Sequence, residues 1–226
     1  MSSILFAFCR KNVYALSNTL FNYYEEVMMT TLYIVRHGQS EANKAGILQG
    51  SKIDTPLTAK GRKQAHTVQQ QLQTLNFAKV YASPLLRAAQ TAHIIAGETT
   101  TTYDWRLKEY DYGAWDGQLL KDIHQKYARF FDSQQNLLPN SDKVSHGETF
   151  TEVTERLQAF FKELAVKHNN EKILVVSHGF TIKLMLDAVL GIKNLVNLNE
   201  PSNAGVTKIE LTPESMTLLY FNQEFS

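Results

Sequence analysis

The chain has 226 residues, which is enough for one domain with a sizeable hydrophobic core. Its 23 Lys and Arg residues nearly balance its 22 Asp and Glu residues, so it lacks the strong positive charge of proteins that coat nucleic acids. It has no apolar run of the about 18 residues that a membrane helix needs, and its single cysteine, Cys9, excludes an internal disulfide framework. We therefore expect a cytoplasmic protein that binds neither nucleic acid nor membrane.

The N-terminal segment differs in character from the rest of the chain. Apolar residues recur at helical spacing from Val13 to Val27, which predicts an amphipathic helix docked on the domain. The alternative is a non-native extension that ends at its last methionines, because a compact strand begins directly after them. We therefore divide the chain into an extension, residues 1–29, and one domain, residues 30–226.

Strands and helices alternate along the predicted domain. Apolar or β-branched runs predict strands at 31–35, 78–83, 99–104, 172–177, 206–211 and 216–221. Helical spacing and start signals predict helices at 58–75, 84–97, 118–131, 149–168 and 179–190. This order predicts an α/β three-layer sandwich, with a mostly parallel six-stranded sheet and helices on both faces. The last two strands form a hairpin, so one strand is expected to be antiparallel.

Cationic and imidazole side chains follow three of the predicted strands. The first strand ends in Arg36 and His37, the strand at 172–177 is followed by His178, and Arg87 lies on the first turn of a helix. In open α/β sheets, ligands bind beyond the carboxyl ends of the strands. Two arginines, two imidazoles and the N-terminus of the helix that Gly179 opens suit a phosphate better than a carboxylate.

A phosphoryl group held in this way would need a nucleophile and an acid. A histidine nucleophile must be unprotonated at one nitrogen, so we expect His37 Nδ1 to hydrogen-bond a backbone oxygen in the His37–Gly38 turn and leave Nε2 free. The leaving alkoxide needs a proton, which Glu109 supplies if burial or a nearby anion raises its pKa. Asp111, two residues further on, is the alternative acid. The sequence has no metal-binding motif, so we expect no cofactor.

Five motifs occur in a fixed order along the chain. They are "RHGQSEAN" at 36–43, "DTPLTAKGRKQA" at 54–65, "SPLLRAAQTA" at 83–92, "LKEYDYGAWDG" at 107–117 and "VSHG" at 176–179. Together they resemble the histidine phosphatase superfamily, in its phosphoglycerate mutase-like branch. The resemblance extends from about Thr31 to Phe221 and implies the phosphoglycerate mutase-like fold.

The resemblance also implies roles for the candidate residues. The implied catalytic set is His37, Glu109, His178, Arg36 and Arg87. The implied substrate-binding set is Asn43, Gln49 and Gly179. Within the catalytic set, the resemblance implies that His37 becomes phosphohistidine and that the arginines and His178 hold the phosphoryl oxygens. It favours Glu109 over Asp111 as the proton donor and acceptor.

Members of this family are mutases or phosphatases. The glycolytic mutases carry a longer insertion with an arginine pair that grips the second charged group of the substrate, whereas residues 118–146 are short here and contain no adjacent arginines. The resemblance therefore favours a metal-independent phosphatase of small phosphate monoesters, acting as a monomer or homodimer. A phosphoglycerate mutase is the alternative. An inactive phosphate-binding module is less favoured, because His37, His178, Arg87 and Glu109 are all present.

Overall fold

The computed structural model describes residues 29–225, which form a six-stranded sheet flanked by helices. The strands are β1 (Thr30–Arg36), β2 (Lys79–Ala82), β3 (Thr101–Tyr103), β4 (Lys172–Ser177), β5 (Val206–Leu211) and β6 (Met216–Gln223). The α-helices are α1 (Glu41–Ala45), α2 (Ala59–Leu72), α3 (Leu86–Ala96), α4 (Leu120–Lys126), α5 (Asp142–Ser145), α6 (Phe150–Lys167) and α7 (Gly179–Leu190). The helix predicted between residues 13 and 27 lies outside the described residues.

The sheet has the order β3-β2-β4-β1-β5-β6. Strands β3, β2, β4 and β1 pair in parallel, whereas β5 pairs antiparallel with both β1 and β6. Only β5 therefore runs against the others, which confirms the predicted sheet of residues 30–225. The register pairs Arg36 of β1 with Ser177 of β4. This register brings the polar residues that follow the two central strands to the same edge of the sheet.

Each face of the sheet is covered by helices with an apolar stripe. On one face, α6 buries Val153, Leu157 and Phe160, and α7 packs beside it. On the other face, α2 and α3 bury smaller residues, among them Ala65 and Ala88. Each core combines side chains of the sheet with side chains of the helices on that face. Burial of apolar surface on both faces therefore holds the strands, and with them the strand ends, in place.

One predicted helix is wrong in its extent. Instead of one helix over 118–131, the chain forms α4 and then a separate 3₁₀ turn at Ala128–Phe130. The aromatic rings after α4 pack on buried Trp115, with Tyr127 at a centroid distance of 4.7 Å and Phe131 at 6.0 Å. An unbroken helix would place these rings on its own surface, so tertiary packing overrides the local helical preference.

The turn after β1 packs directly against the backbone of α2. A methyl group on Gly38 would overlap the carbonyl oxygen of Gly61, and one on Gly61 would overlap the carbonyl oxygen of Gln39. The glycine after His37 and the glycine in the first turn of α2 are thus required by the same close contact. This contact holds the strand end against a rigid helix.

We predict that Gly61→Ala destabilises the protein by about 2–3 kcal/mol, because the added methyl group meets backbone atoms that cannot move aside. The sign is informative, since Gly→Ala inside an ordinary helix stabilises by about 0.5–1 kcal/mol. The measurement is urea unfolding. The control is Gly46→Ala, where φ is +67° and no atom crowds the added methyl group, and where we expect a loss of about 1–2 kcal/mol. A more stable Gly61→Ala protein would contradict the proposed contact.

Candidate active site

The two histidines predicted from separate motifs lie side by side. The rings of His37 and His178 have centroids 5.1 Å apart, and both residues are buried. The backbone N–H of His37 donates to the Ser177 carbonyl oxygen at 3.0 Å, which continues the pairing of β1 with β4 beyond the last strand residue. The parallel register of two central strands therefore creates this pair.

A hydrogen bond fixes the protonation of the His37 ring. Its Nδ1 lies 2.7 Å from the Gly38 carbonyl oxygen. A carbonyl oxygen can only accept, so Nδ1 carries the hydrogen. Burial, followed by the positive charges of Arg87 and Arg36, lowers the pKa of His37 well below 6.5. The ring is therefore neutral at neutral pH, and Nε2 presents a free lone pair, as the sequence analysis predicted.

Several buried nitrogens around this ring have no hydrogen-bond partner within residues 29–225. They are Arg36 Nε, Arg87 Nε, His178 Nδ1 and His178 Nε2. Leaving a buried polar group unpaired costs about 1–3 kcal/mol, so four such groups in one site are expensive for the folded protein. Burial and the charges of Arg87, His37 and Arg36 lower the pKa of His178 well below 6.5. Two arginine N–H donors and a neutral imidazole suit an anionic ligand.

The guanidinium of Arg87 is completely buried and is held by a loop of backbone carbonyls. It donates from Nη1 to Ile53 O at 2.9 Å and from Nη2 to Gly50 O at 3.0 Å. Burial lowers the pKa of Arg87 to about 10, against the opposing effects of Glu109 and Asp54. Arg87 therefore remains charged at neutral pH, and carbonyl dipoles fix its orientation in advance of any ligand.

Glu109 is buried and binds the N-terminus of α7. Its Oε1 accepts from the backbone N–H of Tyr110 at 2.9 Å, from that of Thr181 at 3.0 Å and from Thr181 Oγ1 at 2.9 Å, while Oε2 receives only a weak contact from Phe180 N at 3.4 Å. The N–H groups of Phe180 and Thr181 at the start of α7 bind Glu109, which leaves the N–H of Gly179 for a ligand.

Burial is the main reason why the pKa of Glu109 is raised, and the charge of Glu200 adds to it. The hydrogen bonds from Tyr110 and Thr181 and the charge of Arg87 oppose this shift. The competing candidate, Asp111, lies elsewhere. It is partly exposed, pairs with Lys52 at 3.1 Å and accepts from Gly113 N at 2.8 Å. The structure thus brings Glu109, and not Asp111, to the histidine pair.

A cavity of about 350 Å³ opens onto this site. Its lining includes Arg36, His37, Glu109, Asn43 and Gln49 from the predicted set. Arg87 and His178 lie behind these residues and are fully buried. Gly179 contacts the Arg36 guanidinium, and a side chain at this position would overlap Glu200 Oε2. The eight candidate residues thus form one cluster, in which some residues line the cavity and the others lie directly behind them.

The two predicted amide side chains also organise the backbone. Asn43 Oδ1 accepts from Ser40 N at 3.3 Å in a capping box at the start of α1, and the side chain faces the cavity. The Gln49 amide lies between the hydroxyls of Ser40 at 2.6 Å and Thr55 at 2.8 Å. The amide orientation that satisfies both hydroxyls also lets Gln49 accept from Arg87 Nη1 at 3.3 Å. Gln49 thus helps to hold Arg87.

The structure adds residues that the sequence analysis missed. Glu200 lies 3.4 Å from Arg36 Nη1 at the cavity wall, and Asn203 Nδ2 donates to the His37 carbonyl oxygen at 3.1 Å. Buried Arg156 donates to the Lys108 carbonyl oxygen at 3.1 Å and so anchors the loop that carries Glu109. These contacts join segments far apart in the chain, and no local motif indicates them.

The described residues offer no site for a resident metal ion and no membrane span. Among residues 29–225, no group of three or more His, Cys, Asp or Glu side chains is placed to hold a metal. Within the same range, no helix is long and apolar enough to cross a membrane.

The sequence motifs that supply this site match those of a known protein family. A sequence model of the histidine phosphatase superfamily, branch 1, matches residues 32–224. The chain belongs to the histidine phosphatase superfamily. The match covers every motif from "RHG" to "VSHG" and confirms the family predicted from them.

Known histidine phosphatase relatives are named both as phosphatases and as mutases. Phosphoserine phosphatase 1 of Hydrogenobacter thermophilus is 33% identical over 166 residues, or 73% of this chain and 78% of that protein. "Probable phosphoglycerate mutase GpmB" of Proteus mirabilis is 31% identical over 166 residues, or 73% and 76%. A similar solved structure is the crystal structure of phosphoserine phosphatase from Entamoeba histolytica in complex with 3-phosphoglyceric acid. It superposes on this chain with a TM-score of 0.71 at 27% sequence identity, and the match covers 86% of this chain and 97% of that chain. The predicted fold and the enzyme class, a phosphoric monoester hydrolase, are thereby confirmed.

We predict that the free energy of unfolding falls as the pH falls below 6.5. In that range the unfolded histidines bind protons, whereas buried His37 and His178 do not, so acid favours the unfolded state. One unit below 6.5, each histidine should cost about 1.4 kcal/mol, or about 3 kcal/mol for the pair. Urea unfolding of the wild-type and His37→Asn/His178→Asn proteins across this range measures the effect. Each single variant should remove about half of the difference, and an equal pH dependence in all proteins would contradict the prediction.

Proposed function

We propose that the protein is a metal-independent phosphatase that hydrolyses small phosphate monoesters through a phosphohistidine formed at His37. The observation that carries the proposal is the 2.7 Å hydrogen bond from His37 Nδ1 to Gly38 O, which leaves Nε2 unprotonated. Nε2 belongs to a neutral ring that lies between the charges of Arg36 and Arg87. A neutral nucleophile among fixed cations suits attack on a phosphoryl dianion.

In the first step, His37 Nε2 forms a bond to phosphorus as the bond from phosphorus to the ester oxygen breaks. Negative charge on the phosphoryl oxygens is stabilised by Arg36, Arg87, His178 and the N–H of Gly179. The phosphoryl-transfer transition state is loose, so most of the rate enhancement comes from positioning and electrostatics. Because carbonyl oxygens already orient Arg87, little reorganisation is needed when the charge develops.

The leaving oxygen takes a proton from Glu109. Three donors point at Oε1 and only a weak one at Oε2, so the carboxyl proton is best placed on Oε2. Burial and Glu200 raise the pKa of Glu109, and a bound phosphoryl dianion would raise it further. In the second step the ionised Glu109 accepts a proton from water. The water oxygen bonds to phosphorus, the bond from phosphorus to His37 breaks, and phosphate leaves.

The named relatives support this proposal and keep one alternative open. A phosphoserine phosphatase and a protein named as a phosphoglycerate mutase are similarly related to this chain. Both reactions share the phosphohistidine step, and they differ in whether water or a substrate hydroxyl receives the phosphoryl group. The short segment 118–146 without adjacent arginines favours hydrolysis. We further propose that the protein acts in the cytoplasm, as a monomer or homodimer.

We predict that a brief incubation with ³²P-labelled substrate traps an acid-labile, base-stable phosphoprotein, since phosphorus bound to imidazole nitrogen hydrolyses in acid. His37→Ala should abolish this label. The matched control is His66→Ala, an exposed histidine on α2, which should keep it. Label in the His37→Ala protein at the wild-type level would show that another residue is the nucleophile.

We predict that the effect of Glu109→Gln depends on the leaving group. Turnover of an alkyl phosphate should fall by about 10²- to 10⁴-fold, because the alkoxide needs a proton. Phosphorylation of the enzyme by p-nitrophenyl phosphate should change much less, because nitrophenolate leaves unaided. The second step still needs a base, so rapid-mix absorbance should show a burst of nitrophenolate and then slow turnover.

Asp111→Asn is the matched control for this experiment, because it neutralises a carboxylate on the same loop that points elsewhere. We expect near wild-type rates with both substrates. If Asp111→Asn instead shows the leaving-group dependence and Glu109→Gln slows both substrates equally without a burst, Asp111 is the acid.

A further inference from the structure

Lys183 is a buried cation that lines the catalytic cavity. It is 1% exposed and shares the cavity wall with Arg36 and Glu109. No carboxylate of residues 29–225 forms an ion pair with it, and its hydrogen bond within that range joins Nζ to Asn136 Oδ1 at 3.0 Å. An ammonium group has three N–H donors, so two are left for a ligand.

The position is an unfavourable one for a lysine that has only a structural role. The helix that carries it, "GFTIKLMLDAVL", has Thr181 as its only other polar residue between 179 and 186, and residues 179 to 186 are buried. Burial lowers the pKa of Lys183, while the more distant charges of Glu200 and Asp132 oppose the shift. The Phe180 ring is its other favourable neighbour, with the ring centroid 5.8 Å from Nζ. Burying a cation with one neutral oxygen and one aromatic ring as partners is costly, and a leucine or methionine would pack here without that cost.

The geometry of α7 directs this side chain toward the catalytic groups. Lys183 lies four residues after Gly179, on the same helix face and about one turn away. Side chains on an α-helix point back toward its N-terminus, and the N-terminus of α7 is where Gly179 contacts Arg36. A short carbon chain attached to a phosphoryl group at Arg36 would extend along the cavity wall that Arg36 shares with Lys183.

Asn136 positions the lysine. Its backbone N–H and its Nδ2 both donate to the Asp132 carboxylate, at 2.8 and 3.1 Å, so its Oδ1 is held toward Lys183 Nζ. The segment around 132–136 and the helix α7 thus meet at one ammonium group on the cavity wall.

We propose that Lys183 is a specificity-determining residue that binds a carboxylate on the leaving group of the substrate. The protein then selects phosphate esters of short carboxylic acids over uncharged esters of the same size. This inference rests on the proposed function, because the phosphoryl group must lie at Arg36 and His37 for the leaving group to reach Lys183.

The test is equilibrium binding to the full chain carrying His37→Ala, which prevents turnover. Titration calorimetry compares 3-phosphoglycerate with glycerol 3-phosphate, two ligands that differ at one carbon, carboxylate against hydroxymethyl. We expect tighter binding of 3-phosphoglycerate, and Lys183→Met should reduce that preference by about 10- to 100-fold, the value of a charge-assisted hydrogen bond. Lys183→Arg, which keeps a cation, should retain part of the preference.

The control is Lys193→Met, an exposed lysine outside the catalytic cavity, which should keep the preference intact. Thermal melting shows whether Lys183→Met folds, and Lys183→Gln serves if it does not. The proposal is overturned if the His37→Ala protein binds neither ligand or binds both equally. It is also overturned if Lys183→Met in that background keeps the full preference for 3-phosphoglycerate. Failure of the proposed function looks different. The wild-type chain would then form no phosphohistidine, while the carboxylate preference remained.

Discussion

The hydrogen bond between His37 Nδ1 and Gly38 O is the constraint on which the rest of the site depends. It forms only if the chain turns sharply at the end of β1, and the backbone of α2 at Gly61 presses against that turn. Ser177 O accepts from the His37 N–H, and Asn203 donates to the His37 carbonyl. Because the backbone is held on each side, the ring has one tautomer and one orientation before any substrate arrives, which is the preorganisation that catalysis requires.

The site solves a second problem, which is how to hold two cations, the buried Arg87 and the half-buried Arg36, beside two buried imidazoles. Neutral histidines remove one source of repulsion, carbonyl dipoles hold Arg87, and Glu200 partly balances Arg36 at 3.4 Å. Glu200 lies where it competes with an incoming anion for Arg36. In the proposed mechanism, substrate binding exchanges one anionic partner of Arg36 for another. The net gain in binding free energy then depends on additional phosphoryl contacts with the nitrogens of His178 and Arg87 that lack a partner among residues 29–225.

Most of the scaffold was predictable because its signals are local. Continuous apolar runs ending in polar residues identified β1 and β4, and the parallel pairing then brought Arg36, His37 and His178 together. The error at 118–131 arose because packing on Trp115 ended the helix early. Long-range contacts, such as that between Glu200 and Arg36, are not indicated by any local sequence pattern. Lys183 in a mostly apolar helix is a local irregularity that the sequence analysis did not use and that indicates the missed part of the cavity. The roles assigned to the individual site residues are predictions.

The choice between phosphatase and mutase also looks different once the cavity is known. The sequence argument against a mutase was the missing arginine pair for the second charged group of the substrate. Lys183 reaches the cavity from α7 rather than from the segment 118–146, so the proposed carboxylate site does not require that pair. Carboxylate binding at Lys183, as proposed, is compatible with both activities, and the short segment 118–146 is the feature that favours hydrolysis. What separates them is the residence time of the dephosphorylated product. If it leaves before Glu109 activates water, the phosphoryl group passes to water, and if Lys183 retains it in a second orientation, its own hydroxyl can compete.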